Sequence, residues 1–215
     1  MKKLIKSMLA AICWFWSKVY PYNLNSWLIN KLHVLYSLWI QNFIGDLGEK
    51  SYIHYPCSLQ GGGAKRIRIG YHTHIQSHSI LGCWNRYNTY KGQQTFTPEI
   101  VIGNNCSIGE YNQITAINKI CIGDGLLTGR YVYIGDNAHG GLSLEEHDIP
   151  PAKRMLKSKG AIIIGNNVWI GDKVTILGGV TIGDNVIIGA NSVVTHDVPS
   201  NTVVAGQPLK VVKSL

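Results

Sequence analysis

Residues 164–189 read Ile164-Gly165-Asn166-Asn167-Val168-Trp169-Ile170-Gly171-Asp172-Lys173-Val174-Thr175-Ile176-Leu177-Gly178-Gly179-Val180-Thr181-Ile182-Gly183-Asp184-Asn185-Val186-Ile187-Ile188-Gly189. Isoleucine returns every six residues, at Ile164, Ile170, Ile176, Ile182 and Ile188, and Val194 continues the series. Val168, Val174, Val180 and Val186 form a second series four residues behind. Upstream, Ile102, Ile108, Ile114 and Ile120 keep the same step, after which the frame slips by two to Ile122 and Ile134. Ile69, Ile75 and Leu81 make a weaker first set. A fixed period of this kind is the signature of stacked repeats. Six residues fit a short strand and a corner, with the β-branched residue pointing inward and Gly, Asn or Asp at the corner tolerating positive φ. Three such units close a triangular coil of about 18 residues, and stacked coils pair as parallel strands about 4.8 Å apart. Residues 50–205 are therefore expected to make roughly seven coils. The many Gly, Asn and Asp residues are corner chemistry before anything else.

Two stretches break the period. Residues 82–99 (GCWNRYNTYKGQQTFTPE) and 136–161 (DNAHGGLSLEEHDIPPAKRMLKSKGA) lose the hexad, become polar and are expected to protrude as loops. Long loops inside a regular solenoid are more often functional than accidental. Before Gly48 the pattern is helical: Leu28, Leu32, Leu35, Trp39 and Phe43 recur at spacings of three and four, with a helix start at Ser26. That face is expected to pack on the body of the protein or a neighbouring copy, or to touch a membrane with the help of Trp14, Trp16, Trp27 and Trp39. Lys2, Lys3 and Lys6 ahead of the apolar run Met8 to Trp16 imitate a signal peptide. No small-residue cleavage site follows, and the run is shorter than the roughly 18 residues of a spanning helix, so an amphipathic helix is expected. The chain divides into an amphipathic helical segment, 1–48, and a coil domain, 49–215, with a C-terminal tail at 206–215.

Of the 215 residues 20 are Lys or Arg and 12 Asp or Glu, a formal charge of +8 that points to an anionic partner. With 45% hydrophobic residues the chain can offset its ordering entropy, which excludes intrinsic disorder. Five cysteines, Cys13, Cys57, Cys83, Cys106 and Cys121, are odd in number and contain no C-x-x-C pair. Neither a disulfide framework nor a zinc knuckle is expected, and a reducing compartment is the simplest. No nucleic-acid-binding motif is present.

The segments 164–171 and 178–185, followed by Ala205-Gly206-Gln207-Pro208 and Lys210-Val211-Val212, resemble the hexapeptide-repeat acyltransferases, in particular the galactoside, maltose and glycan O-acetyltransferases. The resemblance covers about 100–213 well, 50–99 loosely and the N-terminal helices hardly at all. It implies a mainly β fold, a left-handed parallel β-helix with N-terminal α-helices and a protruding active-site loop, usually trimeric. It also implies an acetyl-CoA-dependent O-acetyltransferase with direct transfer to a carbohydrate hydroxyl, in the cytoplasm or at the inner face of the membrane, with no metal and no nucleic acid.

Residue by residue, Ile134-Gly135-Asp136-Asn137-Ala138-His139-Gly140 resembles the family stretch ending in His-Gly, so His139 is the implied general base. A histidine near neutral pKa suits that task. His147 is the alternative base or an acceptor contact, and Asn137 stands where relatives often carry a second histidine. Glu145 and Glu146 either orient a histidine or are simply solvated. For the donor, the resemblance carries over Trp169 as a wall for the acetyl and pantetheine end and the Asp172 backbone N–H as an oxyanion contact. It carries over Ala190, Thr195, His196, Lys210 and Lys213 along the coenzyme A arm and its phosphates. The acids that grip a simple disaccharide are absent near 107–118, so a cell-surface glycan or its precursor is expected. Glu110, Tyr111, Asn112 and Asn118 are candidate replacements for them, and Trp84, Tyr87 and Tyr90 are candidate stacking surfaces for a sugar face.

Three alternatives stay open. The first is an amino-sugar or xenobiotic acceptor. The second is a zinc-dependent hydratase like the γ-class carbonic anhydrases, using His72, His74 and His78. The third is a non-catalytic β-helix assembly module.

Overall fold

The computed structural model describes residues 2–141 and 143–214. Two helices, α1 (Lys2–Val19) and α2 (Tyr22–Ile40), precede a parallel coil with three flat faces. The first face stacks Asp46–Leu47, Ile67–Ile69, Glu99–Ile102, Lys119–Ile122, Ile162–Ile164 and Thr181–Ile182. The second stacks Tyr52–Ile53, His74–Ile75, Ser107–Ile108, Leu127–Thr128, Trp169–Ile170, Ile187–Ile188 and Thr202–Ala205. The third stacks Cys57–Gln60, Ser79–Cys83, Gln113–Ala116, Tyr133–Gly135, Thr175–Leu177 and Val193–Val194. That is six three-sided turns and an unfinished seventh. The hexad isoleucines lie directly above one another, as in Ile102↔Ile122, Ile122↔Ile164 and Ile164↔Ile182, and fill one continuous buried core.

The two-residue slip in the period has a physical origin. Ile102 and Ile122, like Ile114 and Ile134, stack in register although 20 residues apart, two more than the 18 between Ile164 and Ile182. The extra pair is Ile117-Asn118, an enlarged corner between the third and first faces. Buried Asp136 in the next turn holds this corner by accepting the N–H groups of Ile117 (2.8 Å) and Asn118 (2.9 Å).

The corner chemistry differs from expectation in one respect. The glycine of each hexad is not the left-handed residue. That conformation falls two residues later, on Asn105, Asn167 and Asn185 at one corner and Tyr111, Tyr131, Lys173 and Asn191 at the next. The hexad glycine is required instead by close stacking of the turns: a Cβ on Gly171 would lie 2.6 Å from the Ala190 nitrogen. Side chains then bind the corners to one another, as Asp124 N–H donates to Asn166 Oδ1 (2.8 Å) and Asn104 N–H to Asp124 Oδ1 (2.8 Å).

Both coil ends are covered. Lys210–Ser214 folds back antiparallel on Thr202–Ala205. At the other end α2 lies on the first turn, where Ser37 Oγ accepts the Ile53 N–H (3.0 Å) and Tyr36 bonds both backbone groups of Cys57. The helix begins at Tyr22, four residues before the expected Ser26, with Pro21 in the N-cap position. It packs through His33, Tyr36, Ser37 and Ile40, while Leu28, Leu32 and Leu35 of the expected stripe are exposed and Trp39 and Phe43, also exposed, stand at the edge of the contact with the first turn. The correction follows from bonding: the face carrying Tyr36 and Ser37 can satisfy the edge N–H groups of the first turn, which an aliphatic stripe cannot. The coil begins at Asp46, paired with Arg68, slightly before the expected boundary at 49.

Candidate functional site

Both interruptions leave the coil at the corner between the third and first faces. The first is a hairpin of Arg86–Thr89 paired with Gly92–Thr95. The second opens with Asn137–His139, which pairs antiparallel with Leu156–Ser158 as the loop returns. The loops are bolted to each other: the Gln94 side chain accepts the Leu156 N–H at Oε1 (2.7 Å) and donates from Nε2 to the Leu156 carbonyl (3.2 Å), and the Tyr90 N–H donates to the Lys153 carbonyl (2.7 Å). Glu146 is buried, not solvated, and accepts Lys157 Nζ (2.9 Å) and the Gly141 N–H (3.1 Å). These contacts hold its carboxylate below the usual glutamate range, the lysine contributing most. Glu145 is exposed and reaches Lys91.

His139 stands exposed at the end of its short strand. The Tyr87 hydroxyl lies 3.3 Å from its Nδ1 and donates to the Ala152 carbonyl at 2.5 Å. Because the phenol has one proton and that proton goes to the carbonyl, Nδ1 must carry the hydrogen in its bond to Tyr87. The Nε2 lone pair of the neutral ring is then left free. Tyr87 is itself braced edge-on by Trp84, with ring centroids 6.4 Å apart. A cleft of about 490 Å³ at the base of the two loops is lined by Thr95, Phe96, Thr97, Ile117, Asn118, Leu156 and Ser158; Leu156 is the strand partner of His139, and neither His139 nor Tyr87 lines the cleft itself. The two loops thus offer an oriented base and, one strand partner away, a cleft with both polar and apolar walls.

Other sequence-derived candidates separate on this geometry. Asn118 lines the cleft, whereas Asn112 does not. Asn112 is buried at the corner of the second and third faces, donating to Thr128 Oγ1 (2.5 Å) and the Gly129 carbonyl (3.0 Å) and accepting the Val132 N–H (2.7 Å). With these bonds it is a corner strut and has no group to offer a ligand. Glu110 pairs with Arg130, and Tyr111 stacks between His78 and Tyr131. His147 is exposed and bonds Asp148 (2.8 Å). His72 and His78 sit at different corners and His74 on the second face between them, so the three do not converge. Among the described residues no three His, Cys, Asp or Glu groups cluster as metal ligands.

On the outer surface of the second face, Leu127, Trp169, Ile187, Val203 and Lys213 form one row in register. Trp169 is half exposed. Three strand spacings, about 14 Å, separate it from Lys213. Asp172 lies at the neighbouring corner, and its carboxylate accepts the Arg130 N–H of the preceding turn (2.8 Å). In the following turn the equivalent position is Ala190, with no side-chain oxygen, and among the described residues the Asp172 N–H meets no acceptor. Lys210 shares the strand of Lys213. Thr195 and His196, bonded to one another, lie beyond the third face at the opposite corner. Within one chain the third face also stands between Trp169 and the His139 loop.

Tyr87 as partner of His139, and the burial of Glu146, were not read as such from sequence. Tyr87 and His139 sit on separate loops whose exit points only the coil defines, whereas Glu146 is buried by Gly141 and Lys157 of its own loop.

Residues 161–196 match the family model described as bacterial transferase hexapeptide (six repeats). An Escherichia coli (strain K12) protein named "Putative lipopolysaccharide biosynthesis O-acetyl transferase" is 40% identical over 118 residues, covering 53% of this chain and 60% of that protein. The galactoside O-acetyltransferase of the same organism is 42% identical over 119 residues, covering 53% and 56%. The chain thus spans less than two thirds of the length of either relative. A maltose O-acetyltransferase from Clostridium difficile 630 superposes with a TM-score of 0.53 at 23% identity, covering 87% of this chain and 84% of that one. An N-acyltransferase from Bacillus cereus, in complex with dTDP and 3-hydroxybutyryl-CoA, gives 0.63 at 20% identity, covering 82% and 86%. These likenesses show the fold expected from the repeat, the left-handed parallel β-helix.

Proposed function

We propose that this chain, which carries the bacterial transferase hexapeptide repeat on a left-handed β-helix, is an acetyl-CoA-dependent O-acetyltransferase acting on a carbohydrate hydroxyl of a cell-surface glycan or its precursor. The observation that carries the reading is the Tyr87–His139 pair, which leaves Nε2 as an oriented base on an exposed strand end. In the proposed reaction Nε2 takes the proton of the acceptor hydroxyl as its oxygen attacks the thioester carbonyl carbon. The Asp172 N–H faces the oxyanion that develops. The carbon–sulfur bond then breaks, and the imidazolium proton goes to the departing sulfur, giving an O-acetyl ester and coenzyme A. No acyl-enzyme is required.

The row from Trp169 to Lys213 suits an extended pantetheine arm with its phosphates at the lysine end. The third face separates that row from the His139 loop, so this reading completes the site between two copies, in the homotrimer that the resemblance implies. In that arrangement the His139 loop and the Thr195–His196 corner of one copy face the second face of the next. The name of the E. coli lipopolysaccharide relative supports a glycan acceptor. An amino-sugar acceptor would use the same base and donor row, and an acceptor screen separates the two.

The test starts from the donor. Calorimetric titration with acetyl-CoA should show saturable binding that Trp169→Ala weakens. With an acceptor in hand, His139→Ala should lower turnover by about 10²–10⁴-fold and leave donor binding unchanged. Full turnover in that variant would move the base to His147 or remove the reading.

A further inference from the structure

The helical arm takes no part in the reaction proposed above, and its surface calls for a partner. Every residue from Lys2 to Tyr20 is exposed. At 100° per residue along α1, Leu4, Ile5, Met8, Leu9, Ile12 and Trp16 share an arc of about 140° that contains no polar residue. Lys2, Lys3, Lys6 and Lys18 all lie outside it. More than half the surface of Leu9, Ile12 and Trp16 is open to solvent. The stripe of α2 exposes a second set of apolar residues, Leu28, Leu32, Leu35 and Trp39. Under Trp39 and Phe43 it runs into an apolar cleft of about 770 Å³ against the first turn of the coil. Monomeric proteins rarely leave apolar faces this long uncovered.

Charge selects the occupant. Residues 1–45 contain five lysines and no Asp or Glu, so they carry +5 of the net +8. A second copy of the same arm would meet this surface with five like charges. Lys18 and Lys31 each lie 5.7 Å from the centroid of a tryptophan ring, Trp14 and Trp27, placing ammonium groups beside aromatic bodies. Apolar arc, flanking lysines, interfacial tryptophans and no acids are together what a helix needs to lie in the plane of an anionic bilayer. No helix among the described residues is long and apolar enough to cross one. We propose that residues 2–43 dock this protein on an anionic lipid surface. α1 lies along the interface, its apolar arc at the acyl boundary and its lysines among the headgroups.

The full chain is sedimented with vesicles of phosphatidylcholine mixed with phosphatidylglycerol, and with vesicles of phosphatidylcholine alone. Partitioning is expected into the mixed vesicles, weaker on the neutral ones and reduced by salt. Leu9→Asp with Ile12→Asp should lower it about 100-fold, near tenfold for each large aliphatic side chain. Leu9→Ile with Ile12→Leu should bind like the parent. Because α1 buries nothing, both variants should keep the circular dichroism, Tm and acetyl-CoA binding of the parent, so loss of docking is distinguishable from failure of the donor site. The proposal is overturned if the parent ignores both vesicles or if the double Asp variant binds undiminished. It is equally overturned if that variant changes only the mass seen by light scattering, which would assign the arc to a second copy.

Discussion

The Tyr87 hydroxyl lies 3.3 Å from His139 Nδ1 while its own proton is committed to the Ala152 carbonyl, so one phenol both orients the imidazole and sets its tautomer. A residue on the hairpin of one insertion thereby positions the base on the other.

Tyr87→Phe keeps the ring that packs against Trp84 and removes the hydroxyl. Turnover should fall about tenfold, the worth of one hydrogen bond, with KM for the acyl donor unchanged. Steady-state kinetics across pH check this. A purely structural tyrosine would instead lower Tm and leave the rate per folded enzyme intact.

Asp136 is buried between the cleft and the core, and burial pushes its carboxyl above the usual range against the pull of the Ile117 and Asn118 N–H groups. Asp136→Ala would leave those donors without an acceptor, which costs about 1–3 kcal/mol for a buried group. A lower urea midpoint with an unchanged m-value is the expected result.

Glu146 is held below the ordinary glutamate range first by Lys157 and then by the Gly141 N–H. A depressed folded-state value means that its contribution is present above the unfolded pKa and is lost as pH falls through the folded one. Hydrogen exchange of the 138–141 and 143–158 amides, corrected for intrinsic rate, should therefore stay slow down to about pH 5 and rise below the ordinary glutamate pKa of about 4.3. Lys157→Met should loosen the same amides at neutral pH.

At the joint between α2 and the coil, His33 and His54 stack with centroids 4.6 Å apart, and His33 Nδ1 accepts the Tyr55 N–H. Burial, then the neighbouring His33 and His74, pushes His54 down to about 4. The unfolded chain takes up this proton first, so stability is full above about pH 6.5. It is lost as pH falls toward about 4, below which both states are protonated. His54 is only half buried, so solvent screening reduces the effect to about 1 kcal/mol, or ~2–4 °C in Tm. His54→Gln should remove that part of the acid dependence in a thermal melt.

Much of the coil was legible because its rule is short-ranged. Each hexad isoleucine points inward, and its stacking partner lies one turn away at nearly constant spacing, so Ile164, Ile170 and Ile176 declare three faces without reference to anything distant. Even the slip after Ile120 was visible as an irregular step, although its cause, a corner held by Asp136, was not. The two protruding segments showed themselves by losing the period, whereas Trp169 and Lys213 came from the resemblance, and their common row depends on the antiparallel return of the tail.

What the period could not carry was any contact between two departures from it. Tyr87 and His139 are 52 residues apart, and nothing local to either states that both loops leave the same corner and brace each other through Gln94 and Leu156. The same holds for α2: its aliphatic spacing marks a helix, but which face turns inward is set by the unpaired N–H groups of the first turn, which Tyr36 and Ser37 satisfy. Repetition along the chain was enough for the architecture, because each residue there answers to neighbours at a fixed interval. The orientation of the base and the exposure of the apolar arm depend on where non-repeating segments meet, and that meeting exists only once the coil has folded.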